Sequence, residues 1–161
     1  MNNKRLTSKF SELSLIHKQV KNKCILDGEL ICLKNGVPDF YELQRRTIMT
    51  DHLKIQLSQS KHPATFVAYD ILYNKNHEIT SLPLIERKKI LDEIIKENDY
   101  IAISRYIMEN GVELFQAAVN RKLEGVVAKQ KDSHYYFGKR TKDWVKFKQI
   151  ADDDYIICGI V

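Results

Sequence analysis

No stretch of this 161-residue chain approaches the ~20 consecutive apolar residues that a membrane-spanning helix needs. The polar start Met1-Asn2-Asn3-Lys4-Arg5 leads into no apolar signal-peptide core, so the expectation is a cytoplasmic protein with no membrane partner. Cysteine is scarce. Cys24, Cys32 and Cys158 are odd in number, lack a CxxC spacing and have no His at zinc-site offsets, which argues against disulfides and zinc and predicts buried free thiols. Internal repeats, low-complexity tracts and long linkers are missing too. What is left is an ordinary globular chain, and a hydrophobic fraction of 43% with a charged fraction of 29% fits one domain with a sizeable core.

The charge is not spread evenly. Residues 121–150 hold nine Lys or Arg and three Asp or Glu, a net of +6 against +5 for the whole chain, so everything else sums to −1. A solvated basic face is the plain reading of such a run. Tyr135, Tyr136, Phe137, Trp144 and Phe147 are interleaved with the cations, however, and aromatics among cations suit a surface that holds phosphates and bases. Within the run, Glu124-Gly125-Val126-Val127-Ala128-Lys129 and Trp144-Val145-Lys146-Phe147-Lys148 read as two short strands. Lys146 and Lys148, two residues apart, then leave the same face of the pleat opposite a single acid, Glu124. That set suits a nucleoside triphosphate: Mg²⁺ takes a carboxylate and phosphate oxygens, and ammonium groups neutralise charge developing on the α-phosphate.

Along the rest of the chain, Thr7 or Ser8 is placed to cap a helix carrying Phe10, Leu13, Ile16 and His17 or Val20 on one side, followed by a strand over 24–33 and a turn at Lys34-Asn35-Gly36. A short helix over 38–46 starts at a Pro and an Asp cap, and an amphipathic stretch covers 52–57. The run 65–73 is apolar without alternation, which predicts a strand buried on both faces. A helix from Pro83 to about 96, a strand over 100–106, a helix over 111–121 and strands over 123–129, 143–149 and 154–161 complete an α+β domain, with 152–154 as a hinge.

Four segments, in this order, resemble the adenylation domain of ATP-dependent DNA ligases, in the covalent nucleotidyltransferase superfamily that also holds RNA ligases and mRNA capping enzymes. They are Leu26-Asp27-Gly28-Glu29, Phe66-Val67-Ala68-Tyr69-Asp70-Ile71-Leu72-Tyr73, Glu124-Gly125-Val126-Val127 and Trp144-Val145-Lys146-Phe147-Lys148. Pro38 to Arg46 and Ser133 to Arg140 add to the match, which looks most like the ligase domain of the bacterial end-joining ligases that work with Ku beside polymerase or nuclease domains. The resemblance implies an antiparallel-sheet nucleotidyltransferase fold, ATP-grasp-like and here partial, acting on nicks or ends of duplex DNA in repair and recombination, in a bacterial cytoplasm beside the nucleoid. It implies ATP with Mg²⁺ or Mn²⁺, Glu29 on the ribose hydroxyls, Tyr69 stacked on adenine, Glu124 on the metal, and Lys146 and Lys148 on the α-phosphate. Arg140 would contact nucleotide or DNA phosphate, with Lys139 and Lys142 beside it on DNA. Asp70 reads as structural, and His52 and His134 as surface residues.

One part of the pattern is missing. The family's lysine nucleophile lies in a K-x-D-G motif, and here the one Asp-Gly pair, Asp27-Gly28, is preceded two residues earlier by Ile25. Residues 1–152 are therefore expected to form part of an adenylation domain, and 153–161 the hinge and first strand of an oligonucleotide-binding barrel whose continuation is not in this sequence. A positioned nucleophile cannot be replaced by electrostatic groups, so the chain by itself is expected not to adenylate itself. A missing N-terminal segment would supply the lysine and cover an open sheet edge. Two other readings stand beside this one: a noncatalytic nucleic-acid-binding module that keeps the basic segment, and an RNA ligase or capping enzyme.

Overall fold

A computed structural model describes residues 5–121 and 123–149. The predicted hinge and last strand, and Cys158, lie outside the described residues.

Where the sequence predicts one capped helix, the chain forms two 3-10 helices, Thr7–Lys9 and Ser11–Gln19, and neither Thr7 nor Ser8 caps either of them. Phe10 is the reason. It leaves helical geometry between the two and buries its ring under the Arg46 guanidinium, 4.5 Å from the ring centroid. Strand β1 (Cys24–Lys34) then turns through Asn35 and Gly36, both at positive φ, into β2 (Val37–Pro38); two left-handed residues in succession give the turn whose twist matches a hairpin. Helix α1 (Phe40–Ile48) starts at Asp39, whose Oδ1 accepts from Glu42 N at 2.9 Å, as the Pro-Asp start predicts. Helix α2 (His52–Lys61) is capped by Asp51 in the same way.

Strand β3 (Ala64–Asn74) is the centre of the main sheet and has no exposed residue along its length. It pairs with β1 on one side and, on the other, with β4 (His77–Glu78) antiparallel and β5 (Ile101–Ile103) parallel, giving the order β2-β1-β3-β4 with β5 beside β3. β5 is shorter than the predicted strand over 100–106: the ladder with β3 ends at Ile103, with one more bond from Ser104 N to Ala68 O, and Arg105 and Tyr106 are exposed. Beyond Leu33 and Lys34, which pair with β2, the outer edge of β1 has no strand partner among the described residues.

Helix α3 (Leu84–Ile94) packs on β3. Leu91, Ile94 and Ile95 bury against Ala68, Ile71, Ile101 and Ile103, and a smaller core joins Phe10, Cys32 and Ala64. Cys32 is the buried thiol that the sequence predicts, whereas Cys24 is only partly covered. Helix α4 (Gly111–Asn120) lies against β6 (Gly125–Lys129), which pairs antiparallel with β7 (Trp144–Lys148) as a separate two-stranded ribbon. The loop joining β6 to β7 docks on the start of α3: Leu84 N donates to Ser133 O at 3.0 Å, Ile85 N to Lys131 O at 2.9 Å, and Tyr135 N to Thr80 O at 2.9 Å. No helix among the described residues is long and apolar enough to cross a membrane.

Candidate functional site

The predicted site residues fall into two groups. In the first, the Tyr69 hydroxyl donates to Glu29 Oε2 at 2.8 Å, joining β3 to β1. The pairing of Asp27 with Asp70 and of Gly28 with Ala68 leaves Tyr69 opposite no residue, so it sits on a β-bulge, the device that re-aims a side chain beside a functional site. Burial, then the bond to Glu29 and the nearby charges of Glu29 and Asp27, push the Tyr69 phenol well above the ordinary tyrosine range. It stays protonated and donating. Gly28 is fixed by space: a Cβ there would stand 2.3 Å from Val67 O and 2.7 Å from Phe66 Cζ.

The second group sits on the ribbon. Lys146 Nζ lies 2.7 Å and Lys148 Nζ 3.7 Å from Glu124 Oε1, so both predicted lysines converge on the predicted acid. The Lys146 hydrogen bond and charge, followed by Lys148, hold the Glu124 carboxyl below the usual range. Register explains the convergence. Lys148 pairs with Gly125 and Lys146 with Val127, which sets the two ammonium groups beside the residue that enters β6. A Cβ on Gly125 would meet Phe147 O at 2.0 Å, so the Glu-Gly pair of this motif needs its glycine for strand contact.

Asp27 is a neighbour that Tyr69 shares with Lys129 of β6 and Tyr135 of the loop after it: its charge bears on all three. Lys129 stands 3.7 Å from the Trp144 ring centroid, and burial lowers its ammonium pKa, opposed mainly by the charge of Asp70. Tyr135 packs edge-on against Trp144 and Phe137, and burial together with Asp27 pushes its phenol up to about 12. The sequence alone assigned no individual role to Lys129, Asp27 or Arg87, and named Tyr135 only among the aromatics of the basic segment. For Lys129 a signal was present, since it follows Val127 at the two-residue period that puts a side chain on one face of a strand.

Arg140, Lys139 and Lys142 are exposed on the loop between β6 and β7, and none makes an ion pair with another described residue. His52 and His134 are exposed, as expected. Asp70 is structural, bound to Arg87. A cavity of about 540 Å³, lined by residues such as Ile16, Val20, Leu26, Phe66 and Ile101, contains none of the predicted site residues. Its walls also include His17, Lys21, Asn22 and Lys23, but none of the residues that the resemblance assigns to nucleotide, metal or DNA lines it, so the two polar groups rather than this cavity define the candidate site.

Comparison with known proteins bears on the same motifs. The model of the ATP dependent DNA ligase domain matches residues 2–148. The SPbeta prophage-derived DNA ligase-like protein LigB of Bacillus subtilis is 28% identical over 158 residues, covering 98% of this chain and 55% of that protein. The bifunctional non-homologous end joining protein LigD of the same organism is 29% identical over 163 residues, covering 94% of this chain and 27% of that protein. Among solved structures, mycobacterial DNA ligase D complexed with ATP and MES superposes with a TM-score of 0.71 at 25% identity, over 90% of this chain and 44% of the other. The chain thus spans about half, or less, of the length of the relatives it matches. With the family model matched over residues 2–148 and the two lysines of the last motif converging on Glu124, it belongs to the ATP-dependent DNA ligase domain family.

Proposed function

We propose that this chain forms the nucleotide-binding part of an ATP-dependent DNA ligase that seals nicks or ends in duplex DNA. The convergence of Lys146 and Lys148 on Glu124 carries the reading. Two ammonium groups paired with one exposed carboxylate exchange partners readily, because solvent-exposed ion pairs are worth little. Phosphate oxygens of ATP would draw the lysines away from Glu124 and leave that carboxylate free. The freed Glu124 carboxylate, with phosphate oxygens completing the ligand set, would suit Mg²⁺ or Mn²⁺. That ion would polarise the phosphate. Glu29 would accept from the ribose hydroxyls with the lone pairs that Tyr69 leaves open, the Tyr69 ring would cover adenine, and Arg140 with Lys139 and Lys142 would meet DNA phosphates.

In the complete enzyme, adenylation of a lysine, transfer of AMP to a 5′-phosphate and attack by a 3′-hydroxyl would follow in turn. This sequence contains no K-x-D-G lysine, so the chain by itself would bind ATP without bonding to it, and a segment carrying the nucleophile would complete the site. Likeness to end-joining ligases supports Ku as a partner and a bacterial, nucleoid-associated location.

Calorimetry with ATP and Mg²⁺ tests the reading. Binding is expected, and Glu29→Ala and Lys146→Met should each weaken it by roughly ten-fold or more, the worth of a charge-assisted hydrogen bond. No measurable affinity in the unaltered protein, or affinity indifferent to both substitutions, would overturn it. Labelled ATP should leave no acid-stable, amine-linked label on the denatured chain. A noncatalytic nucleic-acid module would instead bind DNA with a steep salt dependence and ignore ATP.

A further inference from the structure

The loop between β6 and β7 carries a feature that the nucleotide reading does not use. His134, Tyr136 and Phe137 are all exposed, Tyr136 at 47% and Phe137 at 57%, although Ser133 and Tyr135 beside them are firmly held. Ser133, buried between them and α3, accepts from Trp144 Nε1 at 3.0 Å, and its carbonyl accepts from Leu84 N and Arg87 Nη1. Tyr135 is tied to Thr80 through its backbone and packs against Trp144 at 5.5 Å and Phe137 at 5.3 Å between centroids. Gly138, at φ +64, turns the chain directly after Phe137. Anchored Ser133 and Tyr135 therefore hold the backbone beside the outward rings of His134, Tyr136 and Phe137, and the rings are positioned at little further cost in side-chain freedom.

These rings border a cavity of about 310 Å³ whose other walls include Thr80, Ser81 and Lys139. None of Glu29, Tyr69, Glu124, Lys146 or Lys148 lines it. The one carboxylate in its wall, Glu78, is already engaged by the Tyr73 and Thr80 hydroxyls. Residues 131–142 carry Lys131, Lys139, Arg140 and Lys142 against Asp132 alone, so the surroundings favour a polyanion. Open π-faces with flanking cations suit unpaired bases on a phosphate backbone, whereas paired bases hide their faces in the stack.

We propose that His134, Tyr136 and Phe137, with Lys139 at the rim of this cavity, form a stacking subsite for the unpaired bases of a single-stranded DNA end. The subsite rests on the DNA-ligase reading and adds a preference to it: ends with an overhang are held better than blunt ones.

Fluorescence anisotropy with a labelled DNA hairpin tests it, comparing a blunt end, a short thymidine overhang and an overhang of equal length made of abasic residues. The abasic strand keeps the phosphates and removes the bases. The intact chain should bind the thymidine overhang on the order of ten-fold more tightly than the abasic one. Tyr136→Leu and Phe137→Leu should each erase most of that preference and leave blunt-duplex affinity and its salt slope unchanged, while Tyr136→Trp should keep it. Equal affinity for the thymidine and abasic overhangs, or a preference that survives both leucine substitutions, would overturn the subsite and leave the ligase reading standing. Displacement of the overhang preference by ATP would also overturn it, by making the ledge a nucleotide site. Failure to bind any of the three DNAs would remove the ligase reading and the subsite together.

Discussion

The Asp70 carboxylate and the Arg87 guanidinium meet as a two-pronged ion pair, Nε to Oδ1 and Nη2 to Oδ2 each at 2.8 Å, with both side chains wholly buried. The same guanidinium donates to Leu82 O and to Ser133 O, so one arginine on α3 ties the central strand to the loop that joins β6 to β7. A buried charge left without its partner is expensive, whereas an apolar replacement of both partners is often tolerated. Arg87→Met should therefore lower the unfolding free energy by about 3–5 kcal/mol. Asp70→Leu combined with Arg87→Met should cost less than Arg87→Met alone. Urea unfolding of both proteins decides it, and a near-neutral single substitution would show that the pair does not hold the loop.

Glycine substitutions should rank by the space around them. Gly28→Ala and Gly125→Ala place a Cβ at 2.3 Å from Val67 O and 2.0 Å from Phe147 O, distances at which strands must move apart, and should cost at least the ~1–3 kcal/mol of overpacking. Gly36→Ala meets nothing within 4 Å and pays only for its φ of +78, about 1 kcal/mol. Thermal melting of the three variants checks the order; equal losses would mean that the motif glycines are not there for strand contact.

The Glu124 carboxyl titrates below the ordinary glutamate range because of Lys146 first and Lys148 second. A depressed pKa in the folded state means that the ion pair is intact above the ordinary value and is lost as pH falls through the folded one. In a carboxyl NMR titration, Lys146→Met should bring Glu124 back toward the ordinary range, and Lys148→Met should do so less. A larger response to Lys148→Met would reverse the assignment of partners.

Alkaline pH probes the other face of the site. Tyr135 has a phenol pushed up to about 12 from the usual 10. Its contribution to stability is complete below the unfolded value of 10 and falls away as pH rises through the folded value of about 12. Tyr135→Phe should flatten the loss of stability in that window, measured by urea midpoints at successive pH values. An unchanged slope would place the Tyr135 hydroxyl in water rather than beside Asp27.

Much of the candidate site's geometry was legible in the chain because strands translate sequence spacing into facing. Lys146 and Lys148, two residues apart, share an acid, as the period of a strand requires. Asp39 caps α1 as its position after Pro38 predicts, since a carboxylate one residue before the first helical turn reaches an amide that has no other partner. Less was legible where the partner lies far along the chain. Nothing near Asp70 in sequence announces Arg87 across the core, and Tyr135 gives no local hint of Asp27, because a strand sequence states which face a residue takes and not what covers that face.

The sequence by itself determined the motif set, the basic segment of residues 121–150 and the missing K-x-D-G lysine, all of which depend on residue identity and order. Tertiary structure decided that Tyr69 sits on a bulge and donates to Glu29, that β5 runs parallel to β3, and that the ring of Phe10 parts the first helix into two. The division has a physical cause: local chemistry fixes spacing and caps, whereas registers, bulges and buried ion pairs are settled only when distant segments compete for the same space and the same hydrogen bonds.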